Sequence, residues 1–241
     1  MQISNAANVK KLNQENENSG LNNMKKLFFL LVAAGLLFSL TGCQEQKSKN
    51  SGKLGGQADL KLASVTKFQR GDGSWYLTEQ RHEIFVEQAA IRLTAKEPFG
   101  EIILMVQNGR FAVKKSPETR VFDEELFKLM TDESICRALL ELYLAELKNP
   151  QTRPGQTGSF TFEGQVYDLV YCDQSGAELY KNKSTQRNDL VISQGKKRYI
   201  LYGYNYLKLE GGGHFPSKID VYIYNDGSDR KLVAQYDCRS L

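Results

Sequence analysis

The feature that most limits the possible folds is a long series of short apolar segments separated by turn residues. From Trp75 to Lys114 the chain has the pattern of successive strands: residues 91–95 alternate apolar and polar with the period of two that is typical of β-strands, and Ile102–Val106 is continuously apolar. Asn108-Gly109 separates two such segments, and this pair favours a type I′ turn, in which both central residues have positive φ. A second series of predicted strands follows later in the chain: Ser159–Phe162, Gln165–Asp173, Ala177–Lys183, Asp189–Ser193, Arg198–Lys208, Pro216–Tyr224 and Lys231–Cys238. Regularly spaced strands of this kind predict a meandering antiparallel sheet that is curled or closed.

Two predicted helices, Phe122–Met130 and Asp132–Lys148, interrupt the strands, and Thr131-Asp132 can cap the second one. The second helix has an unusually wide apolar face, formed by two adjacent stripes: Ile135, Leu139 and Leu142, then Cys136, Leu140, Tyr143 and Leu147. Such a helix must lie against a broad apolar surface. We therefore predict an α+β fold of mainly antiparallel β-structure. It is an incomplete (half) β-barrel of about ten strands, with the helices as a plug or lid in its concavity.

The N-terminal part of the chain has the features of an export signal. An uncharged run of 14 residues, Leu27–Leu40, follows Lys25-Lys26 and ends shortly before Cys43. A membrane-spanning helix needs about 20 apolar residues, so this run is too short to span and fits a secretory signal instead. Leu40-Thr41-Gly42-Cys43 resembles the lipobox of bacterial lipoproteins. The resemblance implies that the Cys43 thiol receives a diacylglycerol, that the preceding peptide is removed and that the new amino terminus is acylated, palmitate being a typical acyl group. An ordinary signal peptide with a chance cysteine is the alternative.

These signals divide the chain into four parts. We predict that residues 1–23 are a gene-start artefact, because they are polar and precede the signal, and that translation starts at Met24. Residues 24–43 form the signal peptide, and residues 44–64, rich in Gly, Lys and Ser, form a flexible tether. Residues 65–241 form one domain. In enterobacterial lipoproteins, an aspartate directly after the lipidated cysteine retains the protein in the inner membrane. The residue after Cys43 is Gln44. We therefore expect an exported protein that is anchored to the outer membrane and faces the periplasm.

The charge of the chain is close to balanced. The whole sequence has 32 basic and 28 acidic residues, and the part after Cys43 has 28 and 26. A nucleic-acid partner or a polybasic membrane patch would need a clear basic excess. We therefore predict that the membrane is a partner only through lipidated Cys43, that no nucleic acid binds, and that a protein partner is not identifiable from the sequence.

Three cysteines follow Cys43: Cys136, Cys172 and Cys238. Export places them in an oxidising compartment, where a disulfide can form. Cys172 and Cys238 lie in predicted strands and are the most plausible pair, with three buried reduced thiols as the equal alternative. The sequence contains no C-x-x-C motif and two histidines, so we predict no metal site of conventional zinc spacing and no cofactor.

An enzymatic function is not predicted. The G-x-S-x-G motif is absent, and neither His82 nor His214 lies beside an obvious nucleophile in the sequence. Gly211–Gly213 lacks the lysine and the following helix that a phosphate-binding loop needs.

Several short motifs, in this order of elements, resemble the LolA/LolB family of lipoprotein carriers and receptors. They are Pro98-Phe99-Gly100 before the apolar strand, the wide apolar helix, and a late strand–turn–strand unit formed by Tyr199–Tyr206, Gly211–Gly213 and Phe215–Val221. The resemblance covers about residues 65–241. It implies an incomplete antiparallel barrel whose apolar cavity, covered by helices, accepts acyl chains. The family's receptor has a protruding apolar loop, whereas the tight Asn108-Gly109 turn presents no apolar tip, so the resemblance extends to ligand binding rather than to insertion of lipoproteins into a membrane.

The apolar patterns select candidate residues for ligand contact. These are Ile103 and Met105 in an apolar strand, Ile135, Leu139 and Leu142 in the second helix, and Tyr202 and Tyr204 in a late strand. Alternatively, the aliphatic side chains pack as a solid core and the tyrosines serve as cross-strand partners. We therefore expect a periplasmic lipoprotein that binds a lipid or a lipoprotein acyl chain, with a part in lipoprotein handling. The alternative is a structural or interaction lipoprotein of the envelope with no small ligand.

Overall fold

The computed structural model describes residues 57–96, 98–148, 157–173, 175–195, 197–209, 213–224 and 229–241. Residues Gly56–Leu241 form one compact unit. The strands of the described residues are β1 Leu60–Gln69, β2 Trp75–Phe85, β3 Ala90–Ala95, β4 Ile102–Gln107, β5 Arg110–Lys115, β6 Ser159–Phe162, β7 Gln165–Cys172, β8 Glu178–Asn182, β9 Leu190–Gln194, β10 Arg198–Lys208, β11 His214–Tyr224 and β12 Lys231–Ser240. The helices are α1 Glu124–Met130 and α2 Glu133–Lys148.

The twelve described strands form one antiparallel sheet. Its order is β5-β4-β3-β2-β1-β12-β11-β10-β9-β8-β7-β6. Every pair of consecutive strands is adjacent in the sheet except β5 and β6, which lie at its two edges, and β12 returns to pair with β1. The predicted meander is confirmed. Asn108 and Gly109 have φ of 50° and 68°, as the predicted turn between β4 and β5 requires.

The first strand is a correction to the predicted domain boundaries. β1 begins at Leu60, inside residues 44–64, which were predicted to be a flexible tether. Leu60, Leu62 and Phe68 are buried on one face of this strand, between β2 and β12. The tether prediction is therefore wrong for residues 60–64, because Ser64 and Thr66, which are also buried, hide the apolar alternation of the strand.

Both helices begin at an aspartate. The Leu126 backbone N–H donates to Asp123 Oδ1 at 2.9 Å, and the Ser134 N–H donates to Asp132 Oδ1 at 2.8 Å. These bonds satisfy N–H groups that have no partner within the helix. The predicted cap of the second helix at Asp132 is confirmed, and α1 begins two residues later than predicted because Asp123 is its cap.

The sheet curls around α2. This helix contacts β3 and β4 near one end of the strand order and β8 to β11 towards the other end. Strands so far apart in the sheet can touch the same helix only if the sheet is bent around it. The sheet is not closed, because β5 and β6 are its two free edges. An open, curled sheet with a helix in its concavity agrees with the predicted half-barrel, although with twelve described strands rather than about ten.

A second apolar cluster lies on the opposite face of the sheet, between β6 and the strands that follow it. The Phe162 ring lies 5.4 Å from that of Tyr202 and 5.5 Å from that of Tyr222, and the Phe160 ring lies 5.9 Å from that of Tyr224. The cluster's buried members are Phe162, Tyr167, Tyr180, Leu190, Ile192 and Ile200. The edge strand β6 thus folds back over β10 and β11 on the side away from α2.

Candidate functional site

The concave face of the sheet is filled by α2 in this structure. Its buried side chains are Ile135, Cys136, Ala138, Leu139, Leu140, Leu142, Tyr143, Leu144 and Ala145. Leu139 and Leu142 are completely inaccessible to solvent. At Leu142 the helix approaches the sheet so closely that a Cβ on Gly203 of β10 would lie 3.3 Å from Leu142 Cδ2. The apolar side of α2 therefore occupies the space in which an apolar ligand was predicted.

The predicted contact residues of α2 are brought together, but those of β4 are not. Ile135, Leu139 and Leu142 all belong to the core between α2 and the sheet. Ile103 and Met105 lie on the other face of β4, since Ile102, Leu104 and Val106 are the buried residues of this strand. The choice of Ile103 and Met105 as lining residues is therefore wrong. A continuously apolar strand has no polar alternation from which the inward face can be read.

Tyr202 and Tyr204 also lie on the face away from α2. Their rings are stacked at 5.5 Å with an angle of 20° between their planes. The Tyr204 hydroxyl donates to Asp220 Oδ2 at 3.3 Å, and burial followed by the Asp220 charge raises the pKa of Tyr204 to about 12. These tyrosines form cross-strand and stacking contacts on the outer face, so they cannot line the concavity.

The concave face carries a group of polar side chains that the sequence prediction missed. We name it the polar floor, and it consists of Ser64, Thr66, Thr78, Gln80 and His82. None of the five is more than 4% exposed. They lie side by side because β1 pairs with β2 in a register that sets Ser64 opposite Gln80 and Thr66 opposite Thr78. A signal for these residues was present in the sequence: on β2 they alternate with the charged residues Glu79, Arg81 and Glu83, which must face solvent.

A chain of hydrogen bonds joins the polar floor to α2. The Ser64 hydroxyl lies 3.0 Å from Thr66 Oγ1 and 2.9 Å from His82 Nε2. His82 Nδ1 lies 3.0 Å from the Tyr143 hydroxyl, which in turn lies 3.5 Å from Cys238 Sγ on β12. Buried polar groups need such partners, because an unpaired group in the interior is costly. The Tyr143 hydroxyl is thus the contact that α2 makes with the floor.

The electrostatic environment keeps the members of this chain uncharged. Burial lowers the pKa of His82 to about 3, so its imidazole is neutral at physiological pH. Burial also raises the pKa of the Tyr143 hydroxyl well above its usual value and that of the Cys238 thiol to about 11. A neutral imidazole has one donor and one acceptor nitrogen, so the hydrogen-bond chain can run in either direction.

Further polar contacts hold the two ends of α2 on the sheet. Near its N-terminus, the Tyr199 hydroxyl of β10 donates to Asp132 Oδ2 at 3.0 Å. One turn later, Arg137 Nη2 donates at 2.8 Å to the Gly109 carbonyl in the β4–β5 turn. At its C-terminal end, the Glu146 carboxylate accepts a hydrogen bond from the Asn188 backbone N–H. The helix is thus tied to widely separated strands on both sides of the concavity.

A second carboxyl group lies close to Glu146. Asp189, which is 5% exposed, has one carboxylate oxygen, Oδ1, without a hydrogen-bond partner among the described residues. Burial raises the pKa of Asp189 to about 7; the Glu146 charge raises it and the Arg187 guanidinium lowers it. The pKa of Glu146 is also raised, mainly by burial. Two carboxyl groups that hold protons more firmly than usual therefore lie near the C-terminal end of α2: Glu146 on the helix and Asp189 just before β9.

The cysteine pairing predicted from the sequence is contradicted. Cys136, Cys172 and Cys238 are all reduced, and none of them forms a disulfide. Cys172 lies on β7 and Cys238 on β12, five strand positions apart, which is about 24 Å along the sheet at the usual strand spacing. A disulfide needs Cα atoms within about 7 Å, so this pair is too far apart.

The predicted lipidation site lies outside the described residues. This applies to Cys43, to Leu40, Thr41 and Gly42 before it, and to the boundaries of the signal peptide. In the part of the chain that is described, no helix has the length and apolar composition to cross a membrane. The same residues contain no group of three or more His, Cys, Asp or Glu side chains placed to hold a metal ion.

Comparison with known proteins gives similarity in structure but not in sequence. No family model and no curated protein matches the chain. A LolA superfamily protein from Nitrosomonas europaea is similar with a TM-score of 0.46 and 11% identity, over 76% of this chain and 85% of that one. A domain from Vibrio parahaemolyticus, named for outer membrane lipoprotein sorting, has a TM-score of 0.39 and 10% identity, over 77% and 86%. Both TM-scores are below 0.5, so neither similarity supports a statement about function.

Proposed function

We propose that the chain is a lipid-anchored protein of the bacterial envelope, attached to the outer membrane through Cys43, whose curled sheet binds a lipid or a lipoprotein acyl chain. The observation that carries the proposal is the position of α2. Helix α2, the longer of the two helices of the described chain, is amphipathic and fills the concave face of an open sheet. A ligand enters by displacing this helix from the sheet.

The energetics of such an exchange are plausible. Each buried methylene of an acyl chain contributes about 0.8 kcal/mol, so a chain of sixteen carbons contributes about 12 kcal/mol. Burial of one Leu or Ile side chain contributes about 1.5–3 kcal/mol. One or two acyl chains therefore replace the burial of the large aliphatic side chains that α2 places on the sheet, such as Ile135, Leu139 and Leu142.

Ligand binding is tested with the mature chain without its lipidated cysteine, residues 44–241. We expect native mass spectrometry and lipid extraction to find acyl lipid bound to the purified protein, and an apolar fluorescent probe to gain intensity when it is added. The absence of both bound lipid and a probe response would exclude the proposal.

The anchor is tested in bacteria that express the full chain with radiolabelled palmitate in the medium. The label is expected in the parent chain and not in a Cys43→Ser variant, in which the thioether cannot form. Equal labelling of the two chains, or no labelling of either, would contradict lipidation at Cys43.

The second candidate function is a structural or interaction lipoprotein with a dry core. The observation that favours it is the complete burial of Leu139 and Leu142 in the structure. This candidate predicts that the protein binds no apolar probe and that crosslinking in the envelope captures a protein partner instead.

A further inference from the structure

We propose that the polar floor selects the ligand: it favours apolar molecules that carry a neutral amide, ester or hydroxyl group and discriminates against plain hydrocarbons. This inference rests on the proposed function, in which a ligand takes the place of α2 on the concave face. The floor lies beneath α2 at Tyr143, so a ligand that replaces the helix meets these polar side chains.

The structure, in which α2 covers the polar floor, shows which hydrogen bonds a ligand must replace. The Tyr143 hydroxyl is the partner of His82 Nδ1 at 3.0 Å and lies 3.5 Å from Cys238 Sγ. When α2 leaves, His82 Nδ1 loses this partner. A hydrocarbon that fills the space leaves the buried nitrogen unpaired, which is unfavourable, whereas a ligand with a carbonyl or hydroxyl group replaces the bond.

The floor also offers an acceptor that α2 does not use. Gln80 is 4% exposed, and its Oε1 has no hydrogen-bond partner among the described residues. It lies on β2 directly opposite Ser64, which donates to or accepts from His82 Nε2 at 2.9 Å. An imidazole nitrogen and an unpaired amide oxygen on one strand match a group with both a donor and an acceptor, such as an amide.

The floor suits neutral groups rather than ions. None of its five side chains is charged at neutral pH, because His82 is buried and its pKa is about 3. Burial of an ionised carboxylate without a positive partner is strongly unfavourable. The selected group is therefore the neutral linkage of an acyl ligand, and the anion of a free fatty acid is disfavoured.

The test compares two probes with chains of equal length, dodecanamide and dodecane. Each displaces an apolar fluorophore from the mature chain, residues 44–241, and the ratio of the two affinities is measured in the parent, in His82→Leu and in Ile84→Leu. Ile84 is the matched control, because it is equally buried two residues further along the same face of β2. Comparing this ratio between the parent and a variant cancels the difference in hydration between the probes, as in a double-mutant cycle.

We expect the preference for dodecanamide to fall about tenfold in His82→Leu, equivalent to about 1.4 kcal/mol, and to be unchanged in Ile84→Leu. If both probes bind the parent and His82→Leu leaves the ratio unchanged, selection by the floor is wrong while ligand binding stands. If neither probe binds the parent, the proposed function and this inference both fail.

Should His82→Leu not fold, the double variant His82→Leu/Tyr143→Phe takes its place. It removes both polar groups of the 3.0 Å contact, so neither group is left without its partner while α2 lies on the sheet. The same tenfold fall in the affinity ratio is expected. Retention of the parent's ratio would overturn the inference.

Discussion

His82 Nδ1 on β2 lies 3.0 Å from the Tyr143 hydroxyl on α2, although the two residues are 61 positions apart in the chain. Their rings meet edge to face with centroids 6.0 Å apart. This contact links the concave face of the sheet to the helix that covers it. It places a neutral, completely buried imidazole beneath α2.

The free energy of unfolding should fall as the pH falls from about 6.5 to 3, because of His82. Its pKa is about 3 in the folded protein and about 6.5 in the unfolded chain, so in this window the unfolded chain binds a proton that the folded protein does not. One such group contributes up to about 1.4 kcal/mol per pH unit. Urea unfolding between pH 4 and 8 should show that His82→Leu lacks this loss, and an identical pH profile for the variant would contradict the prediction.

Asp189 should have the opposite effect on the pH dependence: the free energy of unfolding should fall as the pH rises from about 4 to 7. Its pKa is about 7 in the folded protein and about 3.9 in the unfolded chain, so the folded protein binds the extra proton between about pH 4 and 7. Its contribution to stability is present below pH 4 and is lost as the pH rises through 7. Asp189→Asn should therefore unfold at higher urea concentration than the parent at pH 8 and at a similar concentration at pH 4. A larger difference at pH 4 than at pH 8 would show that the sign is wrong.

Leu142→Ala should destabilise the domain by about 2–5 kcal/mol, because Leu142 is completely buried between α2 and the sheet. Lys148→Ala, at the exposed end of the same helix, is the control and should change stability by less than about 0.5 kcal/mol. If α2 competes with a ligand, Leu142→Ala should also bind an apolar probe more tightly. Reduced stability without any change in probe affinity would favour the dry-core alternative.

Gly203→Ala tests the close packing of Gly203 on β10 against Pro216 on β11. A Cβ at this position would lie 2.8 Å from Pro216 Cβ and 2.9 Å from Pro216 Cγ, both in a rigid ring. Overpacking of this kind costs about 1–3 kcal/mol. Gly158→Ala is the matched control, since the nearest atom to its new Cβ would be 3.6 Å away, and its stability should be unchanged or slightly raised. Equal urea midpoints for the two variants would contradict the prediction.

The thermal unfolding midpoint of residues 44–241 should not depend on a reducing agent, because Cys136, Cys172 and Cys238 form no disulfide. A thiol reagent should titrate three thiols in denaturant. In the folded protein Cys172 should react first, since it is partly exposed whereas Cys136 and Cys238 are buried. A count of one thiol in denaturant would restore the disulfide predicted from the sequence.

The sequence was sufficient to predict those features that depend on interactions between residues close together in the chain. The period of two placed β6 and β10 at their observed ends, Asn108-Gly109 predicted the β4–β5 turn, and Asp132 predicted the start of α2. Turn geometry and helix capping depend on residues within a few positions, so the sequence contains the information. The regular spacing of the strands was enough to infer a curled sheet, and the width of the apolar face of α2 was enough to infer that this helix packs against a broad apolar surface.

Tertiary structure alone decided which faces meet. Ile103 and Met105 could not be distinguished from Ile102 and Leu104 by sequence, because a strand that is apolar throughout has no polar side to identify. The polar floor was not predicted because Ser64 and His82 are residue types that usually lie on the surface; the charged residues beside His82 on β2 mark its inward face but do not identify the partners that stabilise it there. Those partners are Thr66 and Tyr143, and the second of these comes from a distant helix. A buried polar group is stable only when such partners are brought to it, and long-range packing, not local periodicity, brings them together.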